Sequence, residues 1–259
     1  MKLNEGGNIF KDPETKQPVT QRINREDVDT TLAWLEKITN LPHRDFKLGT
    51  TGRKDTSGDL DIAINANDVT KDEMVAKLAA WLQKNKPNEN PKDWIRKSGI
   101  SVHFKTPING DEANGYVQTD LMFGEPDWMK WSLRGASGNS PYGGKERQIL
   151  MASISTAQGF KWSPNTGLVD RATNEIVSTD PAEIAQKLLG PTAQIDDLES
   201  VETIITKAKT LPNYEQLVAD ARETFSKMDL VLPESLEDKQ LGRIKELSGM
   251  LLNSVKMYS

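Results

Sequence analysis

Asp59-Leu60-Asp61-Ile62-Ala63-Ile64 is the segment that most restricts how this chain can fold. A strand turns alternate side chains to opposite faces, so Asp59, Asp61 and Ala63 share one face and Leu60, Ile62 and Ile64 the other. The aliphatic face demands a covering layer. The opposite face carries two carboxylates whose Cα atoms stand about 6–7 Å apart by strand rise, and they repel unless a cation lies between them. A divalent metal shared by both would remove that repulsion.

A metal site of this kind calls for a third acid from a strand that can lie beside the first. In Val117–Phe123, the residues Val117, Thr119, Leu121 and Phe123 alternate with Gln118, Asp120 and Met122, so Asp120 faces away from the apolar set. An isolated Asp-x-Asp is more often a solvated pair on a polar strand face, and the segment before it reverses that preference. Gly49-Thr50-Thr51-Gly52 is a small-residue turn that can offer backbone N–H groups and hydroxyls to phosphate oxygens, and Arg53 adds a fork-shaped charge. Ser57 and Gly58 then bring the chain back to the aspartates. Phosphate on a turn beside metal on a strand is what phosphoryl or nucleotidyl transfer requires.

Around this motif the apolar spacing predicts a helix over Asn24–Thr39, with Asn24 as cap and Val28, Leu32, Leu35 and Ile38 on one side. A second helix follows at 70–86, opened by the capping-box pair Thr70 and Glu73. Residues 99–108 and 115–124 read as neighbouring antiparallel strands. The pattern turns helical again over 143–158 and ends at Gly159. Two small strands around Pro164–Gly167 come next, then a helix capped by Asp180 and closed by Gly190-Pro191. From about Gln194 onward every segment reads as helix, including 233–258.

The 259 residues contain no cysteine and only two histidines, His43 and His103, which excludes thiolate chemistry, disulfides and thiolate zinc sites. Net charge is −5, and residues 196–259 hold 12 acidic against 8 basic side chains, so −4 of it falls there. The first 195 residues are close to neutral and have room for a local basic groove. No apolar run approaches the ~20 residues of a membrane span, and the first residues lack a signal-like apolar core, so the expectation is a cytoplasmic protein with no membrane partner.

The stretch Gly49–Ile64, with its glycine turn, spacer and Asp-x-Asp strand followed by Asp120 on a later strand, resembles the nucleotidyltransferase superfamily of DNA polymerase beta. Its Arg53 and Ser57-Gly58-Asp59-Leu60-Asp61 bring it nearest to the family X DNA polymerases, with Thr50 where serine is usual. Residues 142–190 are similar to the thumb of those enzymes. There Gly143-Gly144 stands at the thumb's Gly-Ser turn, Gln148 falls near the position that touches the incoming nucleotide, and Ala152 occupies a position where arginine often reaches the template. The resemblance spans roughly residues 45–190, without an N-terminal lyase domain or a helix-hairpin-helix signature.

What it implies is an α+β fold: a mixed-sheet nucleotidyltransferase palm with helices on one face (1–135), a small thumb-like segment (136–191) and a helical C-terminal region (192–259). It also implies a catalytic and metal-binding triad of Asp59, Asp61 and Asp120 with two Mg²⁺ or Mn²⁺ ions. Gly49, Thr50, Arg53, Ser57, Gly58, Gly143, Gly144, Lys145 and Gln148 would contact a nucleoside triphosphate, and the expected acceptor is nucleic acid. An RNA, protein or small-molecule acceptor is the alternative, and a catalytically idle nucleotide-binding module a further one.

Other residues admit a plainer reading. Arg134, Lys145 and Arg147 could neutralise phosphate or merely solvate a surface. Residues 84–105 gather Lys86, Lys92, Arg96, Lys97, His103 and Lys105 around Trp94, which fits a nucleic-acid contact or, more simply, a solvated loop with one buried tryptophan. His103 is expected at the surface or against a partner rather than as a base. Trp128 and Trp131 are expected in a core between palm and thumb.

Overall fold

The structure is a computed structural model that describes residues 9–135, 140 and 142–232. The chain divides into two compact units, Met1–Ser137 and Gly138–Ser259.

The first unit contains β1 (Ile23–Asn24), α1 (Arg25–Thr39), β2 (Thr56–Ser57), β3 (Asp59–Asn65), α2 (Lys71–Asn85), β4 (Ile95–Ser98), β5 (Ser101–Pro107), β6 (Tyr116–Gly124) and α3 (Pro126–Ser132). Its main sheet runs β3-β6-β5-β4, with β3 and β6 parallel and the other two pairs antiparallel. The fold is thus mixed α+β with a mixed-orientation sheet. Leu60, Ile62 and Ile64 of β3 and Val102, Phe104, Val117 and Leu121 of its neighbours join Val28, Leu32 and Leu35 of α1 and Met74, Leu78 and Leu82 of α2 in one core. Each such side chain contributes about 1.5–3 kcal/mol when fully withdrawn from water. That shared core holds α1 and α2 to one face of the sheet and leaves the carboxylate face turned away from them.

The capping box of α2 forms: Glu73 N–H donates to the Thr70 hydroxyl at 3.2 Å, and Thr70 N–H to the Glu73 carboxylate at 2.7 Å. Asn24 precedes α1 but makes no side-chain cap bond. Two elements escape the sequence pattern. β4 has one buried residue followed by three exposed ones, so it shows no alternation. α3 is a single short helix on the carboxylate side, where Met129 packs with Ala63 and Leu48. A Cβ on Gly124 would stand 2.7 Å from the Met129 sulfur, so glycine makes room for that contact.

Trp94, the tryptophan of residues 84–105, is buried. It is 1% exposed, part of an aromatic cluster with Trp81, Phe104 and Tyr116, and covered by Lys105 Nζ at 4.1 Å and Lys86 Nζ at 4.9 Å from its ring centroid. Lys86 and Lys105 of the basic run therefore cover a buried ring, while Lys92, Arg96 and Lys97 are exposed. Trp131 is buried and pairs with the half-buried Trp128, ring centroids 5.2 Å apart.

His43 is fully buried behind α1. Thr39 donates its hydroxyl to the Leu35 carbonyl at 3.1 Å, so that oxygen receives the His43 Nε2–H at 2.6 Å. Nδ1 is buried with no partner among the described residues. Burial pushes the imidazole down to about 4 from 6.5, against a weaker opposing pull from Glu36. Between those values the unfolded chain binds a proton that the fold refuses, so stability falls as pH drops from about 6.5 toward 4 and levels off below. By linkage the loss reaches roughly 2–3 kcal/mol at about pH 4.5. Urea unfolding at pH 7.5 and 4.5 should show His43→Gln losing less than the native chain by that amount. Equal losses would mean that His43 takes its proton inside the fold.

The second unit contains α4 (Gly144–Ala157), a meander of β7 (Phe160–Ser163), β8 (Gly167–Asp170) and β9 (Ile176–Ser178), then α5 (Pro181–Leu189), α6 (Val201–Ala208) and α7 (Tyr214–Lys227). The third strand, β9, is absent from the sequence reading. Residues 195–208 do not form one helix: a 3₁₀ turn, Ile195–Leu198, precedes α6, which Ser200 opens by accepting the Thr203 N–H at 3.1 Å. Gly190-Pro191, expected as a boundary between thumb-like segment and helical region, lies inside this unit. The reason is shared core: buried Ser153 of α4 donates to the Leu217 carbonyl of α7 at 2.8 Å and accepts from Ala221 N–H at 3.1 Å. The helix expected over 233–258 lies outside the described residues.

Candidate active site

Parallel pairing of β3 with β6 sets Asp61 directly opposite Asp120, and Asp59 opposite Gln118. Because in-register partners share a face, Asp59, Asp61 and Asp120 converge. Each offers a carboxylate oxygen, and these oxygens lie within 4.8 Å of one another, a set that could hold a metal ion. Burial, with Asp59 and Asp120 adding like charge, pushes the Asp61 carboxyl well above the ordinary carboxylate range. Three convergent carboxylates with that penalty on one of them suit a divalent cation, which would stabilise all three in ionised form.

The turn before β3 is tied to the strand by its backbone. Leu48 N–H donates to the Asp61 carbonyl at 2.8 Å, and Asp61 N–H donates to the Thr51 hydroxyl at 3.0 Å. Gly49 has φ +55°, and a Cβ there would meet the Asp61 Oδ2 at 3.3 Å, so both conformation and space ask for glycine. The turn hydroxyl that fixes the strand is thus that of Thr51, which is buried, while Thr50 is half-buried and Arg53 exposed. Ser57 is also buried; its hydroxyl points to the Thr50 carbonyl at 3.5 Å. Gly58 follows it at the entrance to β3.

Two further residues belong to this face: His103, expected at the surface or against a partner, and Gln118. His103 of β5 stands opposite Asp120 and is only 8% exposed; its Nδ1–H donates to Asp120 Oδ1 at 2.7 Å, and Nε2 contacts the Ser98 hydroxyl at 2.9 Å. Gln118 donates from Nε2 to the two oxygens of the same carboxylate at 2.9 and 3.2 Å, and its Oε1 accepts the Ile9 N–H at 2.9 Å. The expectation of a surface role for His103 is corrected accordingly. Its alternation with Val102 and Phe104 marks the right face, but only the cross-strand register reveals Asp120 as its neighbour.

Beside the turn lies a pocket of about 580 Å³ whose walls carry Arg44, Lys47, Arg53, Lys130 and Arg134, with Thr51 at its inner side. Asp45 and Asp127 line the same pocket.

Gly143, Gly144, Lys145 and Gln148 belong to the second unit. Gly143 precedes α4 and donates its N–H to Glu146 at 2.6 Å, Lys145 is exposed, and the Gln148 Oε1 accepts the Trp162 indole N–H. Arg147 is buried, with Nε donating to the Leu198 carbonyl at 2.6 Å, so it holds the second unit together and does not solvate a surface. No protein-family model matches this chain, and no curated protein matches it.

Proposed function

We propose that this chain is a metal-dependent nucleotidyltransferase, a minimal relative of the family X DNA polymerases that adds nucleotides to a 3′ hydroxyl. The observation that carries the reading is the convergence of Asp59, Asp61 and Asp120 on one sheet face beside the glycine turn. In the reaction, the acceptor hydroxyl oxygen bonds to the α-phosphorus, the bond to the β-phosphate oxygen breaks, and pyrophosphate leaves. Asp59 and Asp61 would hold two Mg²⁺ or Mn²⁺ ions with the nucleoside triphosphate, and Asp120 would join them at the catalytic ion. Bound there, the ions neutralise phosphate charge and lower the pKa of the acceptor hydroxyl. Asp120 would accept that hydroxyl's proton, with His103 and Gln118 fixing its orientation. Thr50 and Arg53 of the turn would contact the triphosphate.

The test is incubation with Mg²⁺ or Mn²⁺, each labelled dNTP or NTP, and a primer–template, single strands or tRNA. Template-directed extension with release of pyrophosphate is the expected result. Label on RNA, protein or a small molecule instead would replace the polymerase reading with a transferase of another acceptor. Nucleotide binding with no label on any acceptor would make the chain a binding module.

A further inference from the structure

We propose that the N-terminal hairpin Phe10–Val19 is a positioning element of the acidic site, acting through a relay that runs from the Ile9 N–H to the Gln118 side chain to Asp120. The inference rests on the reading of Asp59, Asp61 and Asp120 as a metal site, and it names a segment outside the sheet that sets how firmly the ion is held.

The hairpin is specified by its own sequence. The Asp12 carboxylate, ahead of Pro13, accepts the N–H groups of Glu14 and Thr15 at 3.0 and 2.7 Å, and the Asp12 carbonyl accepts that of Lys16 at 3.0 Å. Val19 N–H closes the turn on the Phe10 carbonyl at 3.0 Å, beside a bridge between Lys11 and Pro18. Phe10 is buried and anchors one end. At the other, Gln21 N–H donates to the Tyr116 carbonyl at 2.8 Å, and Ile23 and Asn24 pair with Ser57 and Thr56, just ahead of Asp59. Residues 9–24 thus touch both β6 and the entrance to β3, the two strands that carry the acids.

What sets Ile9 apart is its partner. Gln21 binds backbone, as a purely structural strap would, whereas Ile9 N–H donates at 2.9 Å to Gln118 Oε1, and the other end of that amide donates to the two oxygens of Asp120 at 2.9 and 3.2 Å. Only one orientation of the amide satisfies both neighbours. A backbone N–H can only donate and an ionised carboxylate can only accept, so Gln118 must turn its oxygen to Ile9 and its NH₂ to Asp120. Flipped, it would set oxygen against carboxylate and NH₂ against N–H. Gln118 is 4% exposed, so bulk water does not stand in for a lost partner. Without the Ile9 donor the amide loses one of the two contacts that fix its orientation, and the grip on Asp120 falls mainly to His103. Groups that orient a metal ligand raise the affinity of the site, and here the hairpin orients the group that orients the ligand.

The probe is Mn²⁺, titrated into the full chain without nucleotide and followed by the paramagnetic resonance of the free ion, with thermal melting in EDTA as the check on fold. Ile9→Pro deletes the N–H from a residue whose side chain is exposed, and it is expected to weaken Mn²⁺ binding about 3–10-fold, short of the roughly 10–100-fold that a direct partner of a ligand is worth. Gln118→Met, similar in length but unable to make either bond, should weaken binding about tenfold or more. Adding Ile9→Pro to it should cost nothing further, because both changes cut one relay. Ile9→Ala keeps the N–H and should bind as the native chain does. An ester oxygen in place of the Ile9 N–H removes the donor without a proline ring and should match Ile9→Pro. Native affinity in the ester chain, equal loss in Ile9→Ala, or losses that multiply in the double variant would overturn the proposal. A native chain that binds Mn²⁺ no better than Asp61→Asn would remove the metal reading and the relay with it, whereas tight native binding untouched by these variants removes the relay alone. Binding that follows the relay in a chain that labels no acceptor keeps the relay and removes the proposed transfer.

Discussion

Asp61→Asn is expected to cut nucleotidyl transfer by on the order of 10³-fold, the scale of several kcal/mol that metal-held charge contributes to a phosphoryl transition state. The same substitution should raise the melting temperature of the metal-free protein. Burial and the charges of Asp59 and Asp120 hold the Asp61 carboxyl up to about 8, so in EDTA the folded chain keeps a proton that the unfolded chain has already lost. Stability of the metal-free native chain therefore falls as pH rises from about 4 toward 8, and the asparagine variant lacks that slope. A gain of about 1 kcal/mol corresponds to roughly 2–4 °C for a chain of this size. Magnesium should then stabilise the native chain far more than the variant. Equal stabilisation of both, or full turnover by Asp61→Asn, would sink the assignment of Asp61 to a metal.

His103→Ala is expected to lower activity by about 10–100-fold, the usual cost of removing a group that orients a metal ligand. The carboxylate it releases is the one on the central strand of the three that meet at the site: Asp120 Oδ1 accepts from both His103 and Gln118, and losing the shorter of those bonds lets the group rotate. The change should appear as a higher Mg²⁺ concentration for half-maximal turnover, with the melting temperature in EDTA little altered. His103→Asn places an amide donor near the position of Nδ1 and should restore much of the loss, whereas His103→Phe should not. A merely structural histidine would show the reverse, a lower melting temperature and an unchanged magnesium requirement.

Much of this arrangement is legible in the sequence. Alternation in residues 59–64 and 117–123 places the acids on one face, because side-chain direction in a strand follows from covalent geometry alone. The capping residues Thr70 and Asp180 mark helix starts because their side chains can satisfy N–H groups that the helix leaves open. What alternation cannot supply is which residue lies across the ladder, and so the sequence points His103 to a surface or a partner and leaves Gln118 without a role, although each sits on the face of the acids. β4 went unseen for a related reason: as an outer strand with exposed Arg96, Lys97 and Ser98, it has no buried row to write a pattern. The boundary at Gly190-Pro191 shows the limit of punctuation. Glycine and proline end α5 there, but the end of a helix is not the end of a core, and Ser153 reaches across to α7.

The parallel pairing of β3 with β6 has one further consequence. Asp61 and Asp120 are 59 positions apart, and α2, β4 and β5 lie between them in the chain. Closing a loop of that length costs roughly 3–4 kcal/mol of chain entropy before any contact repays it, so the acids are strangers in the denatured ensemble. The repulsion between Asp61 and Asp120 is absent from the denatured chain and arises only once β6 pairs with β3. A divalent ion that prefers three carboxylates to one accordingly recognises the completed sheet and ignores its precursors, and mass action then makes that ion a conformational ligand. Magnesium would guard the finished topology even when no nucleotide is present.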